Sequence, residues 1–282
     1  MDFSTITLAD LQGAGIGLTS DVFRIRNTNM VAKVPASFGP PAPFGPEVHE
    51  VEKRIYERVG KHPHILQYLG QSPAECAVLK GALLFEYHSQ DVLRHCIHNL
   101  HRISPRYNQL PRQVASALAH VHSRGVVHCD LGLHNILLTD SGDVVLCDFA
   151  GSILDGSRPF VAHGDRYADP LRRSKELAQR DDVFALGTVM YEIACGKLLF
   201  EGLEDWEIHE RLAKREFPDL SGIPTLLRDV IEKCWTEPEY TAKDALADLD
   251  AKASPPAIGV AVASGVLFLA MAAWKLGGRG RL

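Results

Sequence analysis

Two short segments in the middle of the 282-residue chain restrict its fold more than anything else in it. The first is His128-Cys129-Asp130-Leu131-Gly132-Leu133-His134-Asn135, and the second, after twelve intervening residues, is Asp148-Phe149-Ala150. The residues between them read as a hairpin, with the run VVLC returning after a Thr-Asp-Ser-Gly turn. Folding that hairpin back on itself places Asp130, Asn135 and Asp148 around one pocket. A fold that accepts this chain must therefore deliver a loop and a strand end to the same cleft.

The flanking patterns divide at about residue 88. Before it, strand patterns alternate with glycine turns: TITLADLQ leads into Gly13-Ala14-Gly15-Ile16-Gly17, and DVFRIR and MVAKVP flank a polar Asn27-Thr28-Asn29 turn. Pro46 suits a first helical position, Val48, Val51, Ile55 and Val59 recur at helical spacing, and Gly60 is placed to cap the helix. Further strands are expected near ILQYLG and AVLKGALLFEY. After residue 88 the reading is helical: QVASALAHVHSRG, VFALGTVMYEIACG, WEIHERLAKR, TLLRDVIEKCW and TAKDALADLDAK. The class is α+β, a small strand-rich lobe followed by a larger helical one.

With these elements in place the sequence resembles the eukaryotic protein kinase family over most of residues 5–250. The resemblance implies a bilobal protein-kinase-like fold, an N-lobe of about 1–88 and a C-lobe of about 89–252. Asp130 is the implied catalytic carboxylate that orients an acceptor hydroxyl, and Asn135 and Asp148 are the implied oxygen ligands of Mg²⁺. Gly15-Ile16-Gly17-Leu18-Thr19-Ser20-Asp21-Val22 resembles the glycine-rich loop, with Ser20 in place of its third glycine, so Gly15, Gly17, Ser20 and Val22 are expected against ATP. Lys33 in Val31-Ala32-Lys33 is the implied phosphate-binding lysine, and Glu52 the better match to its partner, with Glu50 the alternative. Glu86 and His88 fall where the family contacts adenine, Phe85 sits at the back of that pocket or in plain core, and Asp182 matches the residue that clamps the catalytic loop.

Five positions depart from the family pattern. Cys129 replaces an arginine that normally meets a phosphorylated activation loop, so control by that route is not expected. Gly132 stands where serine/threonine kinases carry a lysine on the transferring phosphoryl group. Tyrosine kinases place the charge two positions on, where this chain has His134, an imidazole with only part of a positive charge at pH 7. The metal triplet ends in Ala150, with Gly151 one step late. The A-P-E position reads Ala168-Asp169-Pro170, and Glu239-Tyr240-Thr241 lacks the arginine that pairs with it. Losing both members avoids a lone buried charge. Ser152, Ser157 and Tyr167 are available as phosphorylation sites.

The expected function is an ATP-dependent protein phosphotransferase acting on a protein substrate, with ATP and Mg²⁺ as cofactors. The alternative is a pseudokinase scaffold. A small-molecule kinase ranks lower, because such enzymes typically lack Asp182-Val183-Phe184-Ala185-Leu186-Gly187 and Cys234-Trp235, which are present here.

Charge separates the last 30 residues from the rest. The whole chain has 30 basic and 35 acidic residues, yet residues 253–282 hold only Lys275, Arg279 and Arg281, so the body is acidic and the end basic. Such a body is not built to neutralise nucleic acid, and its 46% hydrophobic and 23% charged content excludes disorder. Residues 257–274 are 18 uncharged residues, apolar on every side, that as a helix would span ~27 Å. Pro255-Pro256 precedes them, and Trp274 and Lys275 suit an interface. A C-terminal transmembrane helix is expected, after a short linker from 253, tethering a cytosol-facing body to an intracellular membrane. The first residues show no secretory signal, and the six cysteines have no C-x-x-C spacing, so reduced thiols are expected.

Overall fold

The computed structural model describes residues 2–17, 19–35, 44–172 and 174–251. The N-terminal lobe is built on a five-stranded antiparallel sheet of order β1-β2-β3-β5-β4. Its strands are β1 (Leu11–Ile16), β2 (Ser20–Ile25), β3 (Met30–Pro35), β4 (Tyr68–Gln71) and β5 (Leu83–Glu86), with α1 (Gly45–Val59) inserted after β3. The β2–β3 hairpin turns where the sequence predicts, with Asn27 at φ 59° and Ile25 opposite Met30. Its register sets Lys33 opposite Val22 on one side and Leu83 on the other, so the lysine sits on the central strand. A bulge between Gly13 and Gly15 bends β1.

Two expected strand segments fold otherwise. Residues 5–10 of TITLADLQ form no strand, because two short 3₁₀ turns, Phe3–Thr5 and Leu8–Asp10, occupy the region. Thr7 donates its N–H and hydroxyl to Asp10 (2.9 and 2.7 Å), a local cap that outcompetes strand pairing. Residues 77–81 are a turn rather than the start of β5, with Gly81 at φ 75°.

The helical lobe begins with the short α2 (Leu93–Cys96) and α3 (Leu100–Ile103), then α4 (Leu110–Ser123). The loop strands follow: β6 (Val126–Val127), β7 (Ile136–Leu138), β8 (Val144–Leu146) and β9 (Ile153–Leu154). Four further helices complete it: α5 (Gln179–Cys195), α6 (Asp205–Ala213), α7 (Thr225–Thr236) and α8 (Ala242–Ala251). β7 pairs with β8 and β6 with β9, each antiparallel. Helix α5 is buried on every side from Asp181 to Ile193, which makes it the axis of this lobe. Gly187 lets α7 approach α5, since a Cβ there would stand 2.8 Å from Cys234 Cβ. Trp235 stacks on Phe217 at 4.7 Å and donates to Thr188 Oγ1.

The two lobes share one main core, which runs from Ile55 and Tyr56 through Phe149 to α5. His120 of α4 contacts the Val59 carbonyl at 2.9 Å and stacks on His62, which fixes the end of α1 against the helical lobe. Among the described residues no helix is long and apolar enough to cross a membrane. The expected anchor at 257–274 lies outside the described residues.

Candidate active site

The cleft between the sheet and the helical lobe has a volume of about 490 Å³ and is lined by Gly15, Val22, Lys33, Asn135 and Asp148. Lys33 reaches into it from β3 and is 92% buried, with only 8% of its surface exposed. Its ammonium lies 2.7 Å from Glu52 and 2.8 Å from Asp148 Oδ1. Glu52 is on the buried face of α1, while Glu50 points outward, with Lys53 at 3.9 Å. The difference follows from helix geometry, since residues two apart cannot share a face.

Burial works against charge on Lys33, but Asp148 and Glu52 outweigh it and hold the ammonium above its ordinary value. Burial likewise raises the Glu52 carboxyl, with Lys33 pulling the other way. For Asp148 burial is again overcome by Lys33, so that carboxylate stays below its ordinary range. Together they form a three-membered charge chain with its cation in the middle.

Asp130 and Asn135 come from the loop between β6 and β7. Asn135 Nδ2 donates to the Asp130 carbonyl at 2.8 Å and to Asp130 Oδ2 at 3.0 Å, which turns its own amide oxygen away from Asp130. This loop is strained: Cys129 has φ 67°, and Asp148 across the cleft has φ 62°. Asp182, at the start of α5 and fully buried, holds it in place. Its two oxygens accept the His128 and Cys129 N–H groups at 2.7 and 2.9 Å. His122 Nε2 contacts the same carboxylate at 2.9 Å, and His163 Nε2 stands 3.1 Å from it. Burial opposes this charge, and His122 and His163 more than offset it, so the Asp182 carboxyl is held far below its usual value. Asp181 caps α5 instead, accepting the Ala178 N–H at 2.8 Å.

Phe149 packs inward, edge-on to Tyr56 at 4.9 Å and 5.1 Å from the His128 ring. The Tyr56 hydroxyl oxygen accepts the Asp148 N–H at 3.3 Å. Burial keeps the His128 imidazole below its ordinary pKa. Phe85 also lies against Tyr56 at 4.7 Å while lining the back of the cleft, so it serves core and pocket together. Glu86 and His88 line the cleft edge, and His88 N–H bonds to no backbone carbonyl among the described residues. Ser20 opens β2 with its carbonyl accepting Gly17 N–H at 2.8 Å, which closes the glycine turn.

The departures have structural answers. Cys129 is fully buried and packs with Val127, Ile153 and Val161, so an apolar contact replaces the arginine. The glycine at 151 is required where it stands, at φ 90° with Val161 2.7 Å from any Cβ. Asp169 does not lack a partner: Arg215, after α6, approaches it with two nitrogens at 3.1 Å each. The family's pair stays absent, with Pro170 in the glutamate's place and no arginine at 239–241, and this chain adds an ion pair of its own between residues 46 positions apart. Ser152 and Tyr167 are structural rather than available for phosphorylation. Ser152 is buried and donates to the His128 carbonyl at 2.7 Å, and Tyr167 donates to Glu192 Oε2 at 2.8 Å. Ser157 is exposed.

Sequence reasoning missed the ties between α1 and the segment after Asp148. Arg58 binds Asp155 through two bonds of 3.0 and 2.8 Å. Arg158 binds Glu47 at 2.9 Å and sits between the rings of Phe44 and Phe160. These ties link α1 to that segment with no phosphate.

Glu192 was missed too. Burial pushes its carboxyl up to about 7, while Tyr167 and the Leu199 N–H bond to it. The folded chain therefore keeps a proton that the unfolded chain loses near its ordinary 4.5. This group's contribution to stability is full below 4.5 and is lost as pH rises through about 7. Glu192→Gln cannot ionise; its amide oxygen still accepts the Leu199 N–H, while the Tyr167 contact reverses, with the amide NH2 donating to the hydroxyl. Its melting temperature should gain on wild type between about pH 5 and 8, by up to ~3 kcal/mol in stability. Parallel curves in thermal melts would contradict the assignment.

The model of the family described as "Protein kinase domain" matches residues 15–247. The serine/threonine-protein kinase PDK1 of Cryptococcus neoformans var. grubii is 32% identical over 43% of this chain and 11% of its own length. The serine/threonine/tyrosine-protein kinase HT1 of Arabidopsis thaliana is 28% identical over 62% of this chain and 47% of its own. The Aurora kinase of Eremothecium gossypii is 29% identical over 73% of this chain and 58% of its own. Each match spans less than two thirds of the relative, so the likeness concerns the shared domain. With the family match covering both lobes and the cleft between them, the chain belongs to the protein kinase family.

Proposed function

We propose that the chain is an active, ATP-dependent protein phosphotransferase, with residues 1–252 as catalytic body and residues 257–274 as a membrane anchor that leaves the body facing the cytosol. The observation that carries the reading is the convergence of Lys33, Glu52, Asp148 and Asn135 on one cleft, with the Asp130 carboxylate bonded to the Asn135 amide. A pseudokinase commonly lacks one of these five.

The residues fit Mg-ATP. Lys33 offers a cation held from behind by Glu52, at a depth suited to phosphate oxygens. Among the described residues no cluster of three His, Cys, Asp or Glu could hold a metal alone. That suits Mg²⁺, which takes one or two protein oxygens and fills its shell from phosphates and water. Asp148 and Asn135 would supply those oxygens. Bound Mg-ATP supplies the transferable phosphoryl group and the charge neutralisation around it. The chain's own part is positioning: Lys33 orients the phosphates, Glu86 and His88 present backbone groups to the adenine, and Asp130 orients the acceptor hydroxyl and takes up its proton.

The test is transfer of labelled phosphate from ATP to generic protein acceptors by the full chain. Transfer should require Mg²⁺ and stop when the metal is chelated. No transfer above the metal-free background would sink the enzymatic reading, and a Mg-ATP-dependent rise in melting temperature would then leave a nucleotide-binding scaffold. For the anchor, a fluorescent fusion lacking 257–282 should turn diffuse in cells; unchanged localisation would refute it.

A further inference from the structure

Gly132 has an extended backbone, φ −171° and ψ 170°, which any residue adopts, so its lack of a side chain answers to space rather than strain. A Cβ there would stand 2.6 Å from His134 Cε1, 2.8 Å from His134 Nδ1 and 3.1 Å from Tyr167 Cε2. The imidazole of His134 thus lies in the volume that a side chain at 132 would fill, and it lines the cleft.

In that place His134 Nε2 is 3.2 Å from Asp130 Oδ2. The same oxygen accepts the Asn135 amide at 3.0 Å. Among the described residues no donor bonds to the other oxygen, Oδ1. One side of the carboxylate is therefore approached by two nitrogen groups, and the other side is left for an incoming hydroxyl. Among the described cleft residues, His134 and Asn135 are the nitrogen side chains in contact with the Asp130 carboxylate, whereas Lys33 binds Glu52 and Asp148 and Arg24 stacks on Tyr87 at 3.9 Å.

We propose that His134 is the positioning residue for Asp130, steering its free oxygen toward the acceptor, and that position 132 is glycine to admit the ring. The proposal rests on the phosphotransferase reading and adds to it which side chain aims the base. If Asn135 turns its amide toward a metal, His134 becomes the main constraint on the carboxylate.

Steady-state kinetics on the full chain test this. His134→Ala should lower kcat about 10–100-fold while KM for ATP and for the acceptor stay within about twofold, because aim rather than binding is lost. Gly132→Ala should push the ring aside and cost a similar factor, and the double variant should be no slower than His134→Ala alone. His134→Arg, which restores N–H donors at that place, should recover most of the rate. A kcat for His134→Ala within about twofold of wild type, or effects of the two substitutions that multiply, would overturn the proposal. Wild type no faster than Asp130→Asn would instead remove the phosphotransferase reading. A second measurement holds in either case: melting-temperature shifts of Asp130→Ala and His134→Ala should be less than additive in the double variant, and strict additivity would overturn the contact.

Discussion

Asp130→Asn is expected to slow phosphotransfer by about 10²–10⁴-fold, the range that a positioned general base contributes. The substitution changes charge and proton affinity with almost no change in volume. Asn135 keeps its 2.8 Å bond to the backbone carbonyl of residue 130, so the loop should retain its shape. Lys33, Glu52 and Asp148 lie across the cleft from it and make no contact with its side chain. The rise in melting temperature with Mg-ATP should therefore survive unchanged. That split is the informative part: lost transfer with retained nucleotide binding assigns Asp130 to the acceptor side. A variant that transfers phosphate within about tenfold of wild type would show that the carboxylate is not the base.

The second large effect is structural. Asp182→Ala should destabilise the fold by about 3–5 kcal/mol, the usual result of breaking a buried charged network from one side. The variant strips the His128 and Cys129 N–H groups of their acceptor and leaves His122 and His163 facing an empty volume. Because Cys129 is held at φ 67°, losing those bonds also frees the loop that carries Asp130. Activity should fall even at temperatures where the variant is folded. The pH dependence has a definite sign. A carboxyl held below its ordinary value stabilises the fold at neutral pH, and that contribution is lost as pH falls through its folded value. The gap between wild type and Asp182→Ala should hence narrow in acid. A gap that stays constant down to the acid transition in calorimetry would contradict this account.

The local patterns carried far because they depend on short-range physics. The β2–β3 hairpin was legible from a polar turn between alternating runs, and α1 from apolar spacing closed by Gly60, which sits at φ 67°. The central helix α5 was legible as an apolar run opening on two aspartates. The failures are also local in origin. TITLADLQ reads as a strand by alternation, yet Thr7 and Asp10 satisfy each other across three residues before pairing can begin.

The cleft was legible in part. The motif spacing brought Asp130, Asn135 and Asp148 to one pocket, and the family resemblance named Lys33 and favoured Glu52 over Glu50. Partners chosen by tertiary contact were not legible. Arg215 meets Asp169 from beyond α6, His163 reaches Asp182 from the loop before α5, and Arg158 reaches back 111 positions to Glu47. No local pattern marks such pairs, because each needs only an exposed or looped residue of the right charge brought within about 3 Å.

Position 132 shows where the division falls. The order of residues settled that a family lysine is missing there and that a histidine follows two places on, since identity and spacing are written in the chain. It could not say where that imidazole lies. The ring's place depends on the space that Gly132 leaves open, on Tyr167 held by Glu192, and on the strained loop that Asp182 clamps. Those contacts join residues up to 54 positions apart, so packing of the folded chain sets them rather than any stretch of sequence.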